Sequence, residues 1–427
     1  MAYAATASDL SSSATVPPGI LALQRALVWL AGASGAIVFI EPSPYELTTL
    51  AAAVIFVATG VKLRLVFMPL LLLLVLLNVG YSIGAIPRLE QSNVANWIAT
   101  SWYMTVTVVF FALVLAEDTT ARLDMLRRGL IVGAVIASLA AVAGYLNLVP
   151  GGYDLLTLYG RARGTFKDPN VLGAFLILPA LLVLQSIVTD RLGKAVRSSF
   201  AFAIMALAIL LAFSRAAWGG LVITAAFMLL LMVLTSRTRA ERSRIVVMAI
   251  VAALLGVMLV AVLMSFDSVA EMFRQRASLD QSYDTGRFGR FGRHVLGADM
   301  ALDLPFGIGP LQFHHYFPED THNSYLNAFM SGGWLSGICY PTLVFLTVIL
   351  GFRHVFTPVP WQRTYLAIFA AFLGTVGESF IIDTDHWRHF FMMLGVMWGL
   401  FAAAQRERSQ PPTAPTAPTA PADIENP

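Results

Sequence analysis

The sequence is poor in cysteine and in charge. Its single cysteine, Cys339, excludes an intramolecular disulfide and a cysteine-based metal cage. Only 12% of the 427 residues are charged, whereas 57% are hydrophobic and the mean hydropathy is +0.72. A soluble core of ordinary proportions cannot bury so much apolar surface, so the composition indicates an integral membrane protein.

The chain also lacks a basic leader. Residues 1–18 are rich in Ser, Ala and Thr and have no basic n-region, so we expect a disordered N-terminus followed by an uncleaved first span. Residues 405–427 contain a Pro-Thr-Ala repeat, which is typical of a disordered tail without a catalytic role. The net charge of +3 gives no indication of nucleic-acid binding, because loop Lys and Arg account for it.

Long apolar runs fill the rest of the chain. A spanning helix needs roughly 20 apolar residues, whereas strands of a membrane barrel would alternate apolar and polar side chains. We therefore predict an all-α polytopic membrane protein with a transmembrane domain at 19–404. About twelve spans are predicted, at 19–40, 45–61, 65–86, 97–116, 129–149, 171–189, 198–213, 216–235, 245–266, 325–350, 364–382 and 389–404.

The apolar run 198–235 has to turn back on itself. As one helix it would be roughly 57 Å long at about 1.5 Å per residue, nearly twice the thickness of the hydrocarbon core. Its polar interruption is Phe213-Ser214-Arg215, where we place the turn.

The distribution of Lys and Arg orients these spans. With both termini in the cytoplasm, most basic residues fall in cytoplasmic connections, as the positive-inside rule requires. The cations left outside concentrate before the sixth span, at Arg215 and in a long loop at 267–322. These exceptions are where we expect function.

The long outer loop contains Arg287, Arg290 and His294 at offsets of three and seven, which places them on one face of a helix. Phe288 and Phe291 fall on a neighbouring apolar face, so we predict an amphipathic helix on the outer membrane surface. Glycines 289 and 292 predict a close approach to its backbone or a less regular start.

Several outer cations are candidate ligand-binding groups. Arg161 and Arg163 could clamp a phosphate through paired N–H donors, and an interfacial anchor accounts for them equally well. Arg215 lies in a tight turn near the lipid boundary, which suits a lipid-attached anion such as a polyprenyl pyrophosphate; the plainer alternative is a turn residue that contacts headgroups. In the loop, Arg287 is the preferred phosphate contact, and a solvated helix face explains Arg290 and Arg293.

His322 is the candidate general base. It lies at the mouth of the tenth span beside Asn323, and a histidine with a near-neutral pKa suits proton removal from a hydroxyl. His314 and His315 read as loop surface.

A further cluster lies between the last two predicted spans. Its ionisable members are Asp383, Asp385, His386, Arg388 and His389. The ligand types match a metal site or the D-x-D of nucleotide-sugar glycosyltransferases. Pairing of the two aspartates with Arg388 explains the cluster structurally, and we predict no metal; whether the cluster has a functional role stays open.

The order and spacing of the outer motifs carry a family resemblance. They are Phe213-Ser214-Arg215, Gly286-Arg287, Pro305-Phe306-Gly307-Ile308-Gly309, and His322-Asn323 followed by Gly333 and Gly337. In this order the chain resembles the O-antigen ligase and polymerase superfamily, over about residues 160–350 in motif and over the whole chain in its twelve-span layout.

The resemblance implies a metal-independent, inverting glycosyltransferase of the bacterial inner membrane, with no cofactor and a periplasmic active site. The donor would be a glycan on undecaprenyl pyrophosphate, and the acceptor lipid A-core. Arg215 and Arg287 would bind the pyrophosphate and His322 would activate the acceptor hydroxyl. Further contacts to pyrophosphate or glycan are expected from Arg161, Arg163, Arg290 and Asn323.

Two alternatives remain open. A polymerase of O-antigen or exopolysaccharide would use the same class of donor and similar arginines. A polysaccharide or lipid transporter is the second alternative, for which Glu378 in the eleventh span is the one supporting carboxylate. We expect the ligase, with Arg215, Arg287 and His322 lining one outward cavity under the long loop.

Overall fold

The computed structural model describes residues 17–277, 284 and 286–409. Its first elements are α1 (Pro18–Ser34), α2 (Pro44–Ala58), α3 (Met68–Ala85), α4 (Ser92–Leu115), α5 (Thr119–Tyr145), α6 (Gly152–Leu156), β1 (Thr157–Leu158) and β2 (Arg161–Ala162). They are followed by α7 (Pro169–Thr189), α8 (Leu192–Leu211), α9 (Arg215–Thr235), α10 (Arg239–Leu263), α11 (Asp267–Ala277), α12 (Arg290–Leu302), α13 (Ser324–His354), α14 (Gln362–Glu378) and α15 (Arg388–Ser409).

The chain is an all-α polytopic membrane protein. Every predicted span overlaps a described helix, and the helices outside the predicted spans are α6, α11 and α12. Among the described residues, eight helical segments are long and apolar enough to cross a bilayer. The helices α1, α2 and α14 have only 15 to 17 residues each, and α15, with 22 residues, is not among the eight either. The count of twelve spans therefore stays a prediction.

The predicted disordered ends fall largely outside the described residues. Where they overlap with them, Pro18 already belongs to α1 and residues 405–409 belong to α15. The helix α15 thus continues five residues beyond the predicted end of the last span at 404. The basic residues Arg406 and Arg408 lie in the last turn of α15, where positive charge is favourable to the helix dipole.

The centre of the bundle is α7, whose side chains are buried over nearly its whole length from Leu172 to Val188. It packs against α5, α8, α9 and α14. By contrast, α10 buries only Ile245 and leaves Val247, Leu254 and Val257 more than half exposed. An apolar helix that exposes such side chains fits contact with lipid tails.

Small residues bring α1 and α5 together. A Cβ atom added at Gly129 would lie 2.1 Å from the Trp29 carbonyl oxygen, and one at Gly133 would lie 2.4 Å from that of Ala33. In a membrane this close approach replaces the hydrophobic effect as the source of helix association.

The predicted turn at residues 213–215 is confirmed. The helix α8 ends at Leu211, Phe213 takes a left-handed backbone with φ of 47°, and Ser214 caps α9 by accepting a hydrogen bond from the Ala217 amide. Arg215 therefore begins α9 at a tight turn, as expected.

The turn that follows α12 packs against a kink in α13. The kink lies at Gly332 and Gly333, and Gly333 has φ of 64° and ψ of −158°. The Trp334 amide donates to the Pro305 carbonyl, 3.0 Å away, and the Ile308 amide donates to that of Met330 at 2.7 Å. The kink thus anchors the loop segment that presents α12.

We expect Gly333→Ala to destabilise the protein by about 2 kcal/mol or more, because the backbone is left-handed there. The new Cβ would also lie 2.1 Å from the Pro305 carbonyl oxygen. Thermal unfolding of the detergent-purified variant measures the change. Gly377→Ala is the control, since nothing lies within 4 Å of a Cβ atom there. Equal melting temperatures for the two variants would contradict this account of the kink.

Candidate active site

Four segments meet at one end of the bundle. They are the start of α9, the helix α12, residues 319–323 before α13, and the connection 379–387 between α14 and α15. Arg290 of α12 donates to the Ile381 carbonyl at 3.3 Å, and Asp284 pairs with both Arg290 and Arg215, so three of the segments are linked. Arg215 and His322 therefore lie at the same end of the molecule.

One carboxylate fixes the His322 segment. Asp383 Oδ1 accepts from the Thr321 hydroxyl at 2.8 Å and the Asn323 amide at 3.0 Å, and its Oδ2 accepts from the His322 amide at 3.1 Å. From the other side, His294 Nε2 donates to the Thr321 carbonyl at 2.9 Å. The backbone before α13 is thus held by side chains from two other elements.

The clamp holds a strained conformation. His322 has φ of 46°, a left-handed backbone that costs a non-glycine residue roughly 1–2 kcal/mol. Hydrogen bonds contribute about 0.5–1.5 kcal/mol each even where the acceptor is neutral, and more where it is charged. The three bonds to Asp383 outweigh the strain, so the carboxylate determines where the imidazole lies.

His322 and Asp383 also face each other through their side chains. His322 Nδ1 lies 3.7 Å from Asp383 Oδ2, and the imidazole keeps 37% of its surface exposed. Burial and, next, the positive charge of Arg290 lower the pKa of His322, so the ring is neutral at neutral pH. If Nδ1, the nitrogen that faces Asp383, carries the proton, Nε2 is the basic nitrogen.

Asp383 is itself in an unfavourable place for a charge. Burial and the neighbouring Asp385 carboxylate raise the pKa of Asp383 to about 7, against the hydrogen bonds it accepts. A positively charged imidazole next to it would therefore be stabilised. The pair suits a base that takes up a proton only transiently.

A second cluster gathers cations around one carboxylate. Arg215 Nη2 lies 3.1 Å from Asp284 Oδ2, and Arg290 Nε lies 3.2 Å from Asp284 Oδ1. The Asp284 side chain is only 11% exposed, so this anionic position between two guanidiniums is shielded from water. A carboxylate there occupies the kind of position that a phosphate group would take.

Arg287 is exposed, with its guanidinium 5.7 Å from the centre of the Phe288 ring. It precedes α12, so the expected helical face shared by Arg287, Arg290 and His294 is wrong in its first member. A Cβ at Gly292 would lie 2.2 Å from the Arg287 carbonyl oxygen, so glycine permits a close approach of the helix start to this segment.

The interpretation of Arg290 and Arg293 as a solvated helix face is also wrong. Arg293 is 2% exposed, with Nη2 lying 2.7 Å from Glu319 Oε2 and Nη1 donating to the Phe288 carbonyl. A buried guanidinium requires such partners. The exposed side of α12 instead carries Phe291 and Val295, at 56% and 70%.

Arg161 and Arg163 lie beside the α8–α9 turn. Arg161 is 7% exposed; its Nε donates to the Ala212 carbonyl at 2.8 Å and its Nη2 to Asn170 Oδ1 at 2.7 Å. Arg163 donates to the Leu155 carbonyl at 3.1 Å. Arg161 therefore braces the turn that carries Arg215, and its contact with a ligand stays a prediction.

Asn323 caps α13. Its Oδ1 accepts from the amides of Tyr325 and Leu326 at 3.0 Å, and its Nδ2 donates to the Phe380 carbonyl at 3.2 Å. The amide group is thus engaged in positioning the helix next to His322. Its predicted glycan contact is untested.

The expected pairing of Asp383 and Asp385 with Arg388 is wrong. Arg388 Nε donates to Glu46 Oε1 at 3.0 Å, from the start of α2, while Asp385 accepts from Asn327 Nδ2 at 2.8 Å. In the described part of the chain, no three His, Cys, Asp or Glu side chains are grouped to hold a metal ion.

Residues 200–340 match the family model described as O-antigen ligase. The match confirms the resemblance to the O-antigen ligase superfamily. The matched segment contains Arg215, Arg287, Arg290 and His322. The superfamily comprises enzymes of the O-antigen ligase or polymerase class. No curated protein matches the sequence.

Sequence reasoning missed two residues of this site, Asp383 and Asp284. Of these, Asp383 lies beyond the residues that match the O-antigen ligase model. The available signal for Asp383 was an acidic side chain on the same outer side as His322. For Asp284, the only sequence feature that pointed to the site was its position in the arginine-rich loop.

We expect Asp383→Ala to lower the free energy of unfolding by about 1–3 kcal/mol, since it leaves a hydroxyl and two backbone amides without their acceptor. Limited proteolysis should also cut more readily near residue 322. Asp303→Ala, at an exposed position after α12, is the matched control. Unchanged melting and proteolysis in Asp383→Ala would show that the clamp does not hold this segment.

Proposed function

We propose that this protein transfers O-antigen from undecaprenyl pyrophosphate to a hydroxyl of lipid A-core. The observation that carries the proposal is a neutral, clamped His322 at the same end as the Arg215–Asp284–Arg290 cluster. A base and fixed positive charge are the two groups that transfer of a sugar from a diphosphate to an alcohol requires.

His322 removes the proton from the acceptor hydroxyl in this mechanism. The hydroxyl oxygen forms a bond to the anomeric carbon of the donor sugar, and the bond from that carbon to the phosphate oxygen breaks. The electron pair leaves with the diphosphate, and attack opposite the leaving group inverts the anomeric centre. Asp383 orients the imidazole and stabilises its protonated form; it is a positioning residue.

The arginines stabilise the leaving diphosphate. Arg215 and Arg290 already hold the Asp284 carboxylate, and the donor's pyrophosphate would replace it between them. The exposed Arg287 lies on the same loop and would close onto the outer phosphate. Because guanidiniums supply the charge, the proposed reaction needs no metal ion or other cofactor.

The location follows from the same proposal. An inner-membrane protein with cytoplasmic termini would have this end of the bundle in the periplasm, where lipid-linked O-antigen and lipid A-core meet. The bias of Lys and Arg towards the opposite connections supports this orientation.

The second candidate is a polymerase of O-antigen or exopolysaccharide. The superfamily match supports it equally, because the base and the cations would act in the same way on a lipid-linked acceptor. The two functions differ in the acceptor alone.

The lipopolysaccharide gel profile of a deletion strain decides between them. For a ligase we expect cores bare of O-chains, rescued by the wild type but not by His322→Ala, whose transfer rate should fall by about 100-fold or more. His314→Ala is the matched control, because His314 is half exposed in the same loop. Cores capped by a single repeat would instead indicate a polymerase, and an unchanged ladder would contradict an O-antigen role.

The pH dependence of transfer provides a further prediction. Because the pKa of His322 lies below its ordinary value, the basic form is present at neutral pH and is lost as the pH falls through that lowered pKa. Arg290→Gln removes a charge that lowers it, so the acid limb of the rate profile should move to higher pH. Transfer by purified protein with lipid-linked donor measures the midpoint. Arg274→Gln, in α11, is the control, and an equal shift in both variants would contradict the assignment.

A further inference from the structure

A cavity of about 280 Å³ adjoins the Asp383 clamp. Asp383 and Thr321 form part of its wall, and two indole rings, Trp97 and Trp387, form another part. The site arginines 215, 287 and 290 are not among its lining residues, and neither is His322. The cavity expected to be shared by Arg215, Arg287 and His322 is therefore not this one.

A connected polar network lines the cavity. The Ser331 hydroxyl donates to Asn327 Oδ1 at 3.1 Å, and Asn327 Nδ2 donates to Asp385 Oδ2 at 2.8 Å. His386 Nδ1 lies 3.5 Å from the same oxygen, and the Asp385 side chain is 4% exposed. These side chains hold one another in fixed positions, as a preformed binding site requires.

One polar atom of this network has no partner. Among the described residues, His386 Nε2 is buried and makes no hydrogen bond. The Trp97 ring lies 4.1 Å from the His386 ring, and Tyr81 packs against Trp97 at 4.9 Å. A buried ring nitrogen without a partner in a cavity-lining residue would gain the missing hydrogen bond if a small shift of the ring brought it within reach of a ligand hydroxyl.

The charge of the lining selects among ligands. It includes three carboxylates, those of Asp320, Asp383 and Asp385, and no Lys or Arg. A phosphate or carboxylate would be repelled there. A sugar ring fits instead, since its hydroxyls can donate to the carboxylates and its C–H faces can lie on the indole rings.

We propose that this cavity binds one uncharged or amino-bearing sugar residue of the acceptor glycan. The inference rests on the proposed function and names the acceptor side of it. Asp383 borders both the cavity and His322, so a sugar held here lies next to the base and outside the cation cluster, whose arginines do not line the cavity. The cations then receive the diphosphate, and the acidic cavity excludes it.

Binding of simple sugars tests the proposal without any transfer reaction. The probes are methyl glucoside, methyl glucosaminide and glucose 1-phosphate, measured by saturation-transfer NMR on protein in a detergent that has no sugar headgroup. We expect saturable binding of the first two. Because the arginine cluster could bind glucose 1-phosphate separately, its effect is measured as displacement of methyl glucoside, which should be about tenfold weaker than displacement by methyl glucosaminide, a difference of about 1.4 kcal/mol. Equal displacement by both, or no saturable binding of methyl glucoside, would overturn the proposal.

Two variants locate the binding. Trp97→Ala should weaken methyl glucoside binding by about tenfold or more, whereas Trp102→Ala, on the same helix and 37% exposed, should leave it unchanged. Asp385→Asn should reduce the discrimination against glucose 1-phosphate, a readout that does not depend on Trp97→Ala folding. Wild-type binding in both Trp97→Ala and Asp385→Asn would place the sugar elsewhere.

Failure of this inference is distinguishable from failure of the proposed function. His322→Ala should abolish transfer and keep sugar binding, because His322 does not line the cavity. Transfer that survives His322→Ala would end the proposed mechanism and leave the sugar site standing. If His322→Ala loses transfer but the wild type binds no sugar, the proposed mechanism stands and the sugar site is wrong.

Discussion

The end of the bundle that carries His322 depends on the carboxylate of Asp383. It joins the connection between α14 and α15 to the three residues before α13, and it is the acceptor that offsets the left-handed backbone of His322. Since α14 packs on the central α7, the carboxylate ties the imidazole to the core of the bundle, and His294 of the long loop adds a second contact through the Thr321 carbonyl. In the proposed reaction, a mobile donor lipid and a bulky acceptor would meet at a base whose place is fixed.

The arginines at this end form ion pairs with carboxylates. Asp284 lies between Arg215 and Arg290, and Glu319 pairs with the buried Arg293. In a partly desolvated region a cluster of guanidiniums alone would repel itself, so these carboxylates allow the cluster to form before any ligand arrives. This pairing accounts for basic residues on the side where the positive-inside rule predicts few of them.

The sequence alone predicted the features that depend on local pattern. Hydropathy located the helices, and a length argument located the turn at Phe213 to Arg215. Pairings between distant residues were beyond it: Arg388 was assigned to aspartates three and five residues away, but its partner Glu46 is 342 positions distant. For the same reason periodicity left Arg293 on a solvated face, because its burial depends on Glu319, 26 residues further along the chain. Asp383 and His322 are separated by 61 positions, a distance over which residue patterns carry no information.

Asp284 has a consequence for turnover. If the proposed function holds, the Asp284 carboxylate would compete with the diphosphate at a constant effective concentration, because it is part of the chain, however dilute the lipid is in the bilayer. Such a competitor would weaken the binding of donor and product alike, so a leaving undecaprenyl pyrophosphate would be replaced by a counterion that is already in place. In a transferase of this kind, the positive charges of the arginines would keep a counterion between one reaction cycle and the next and would not face the membrane surface without one.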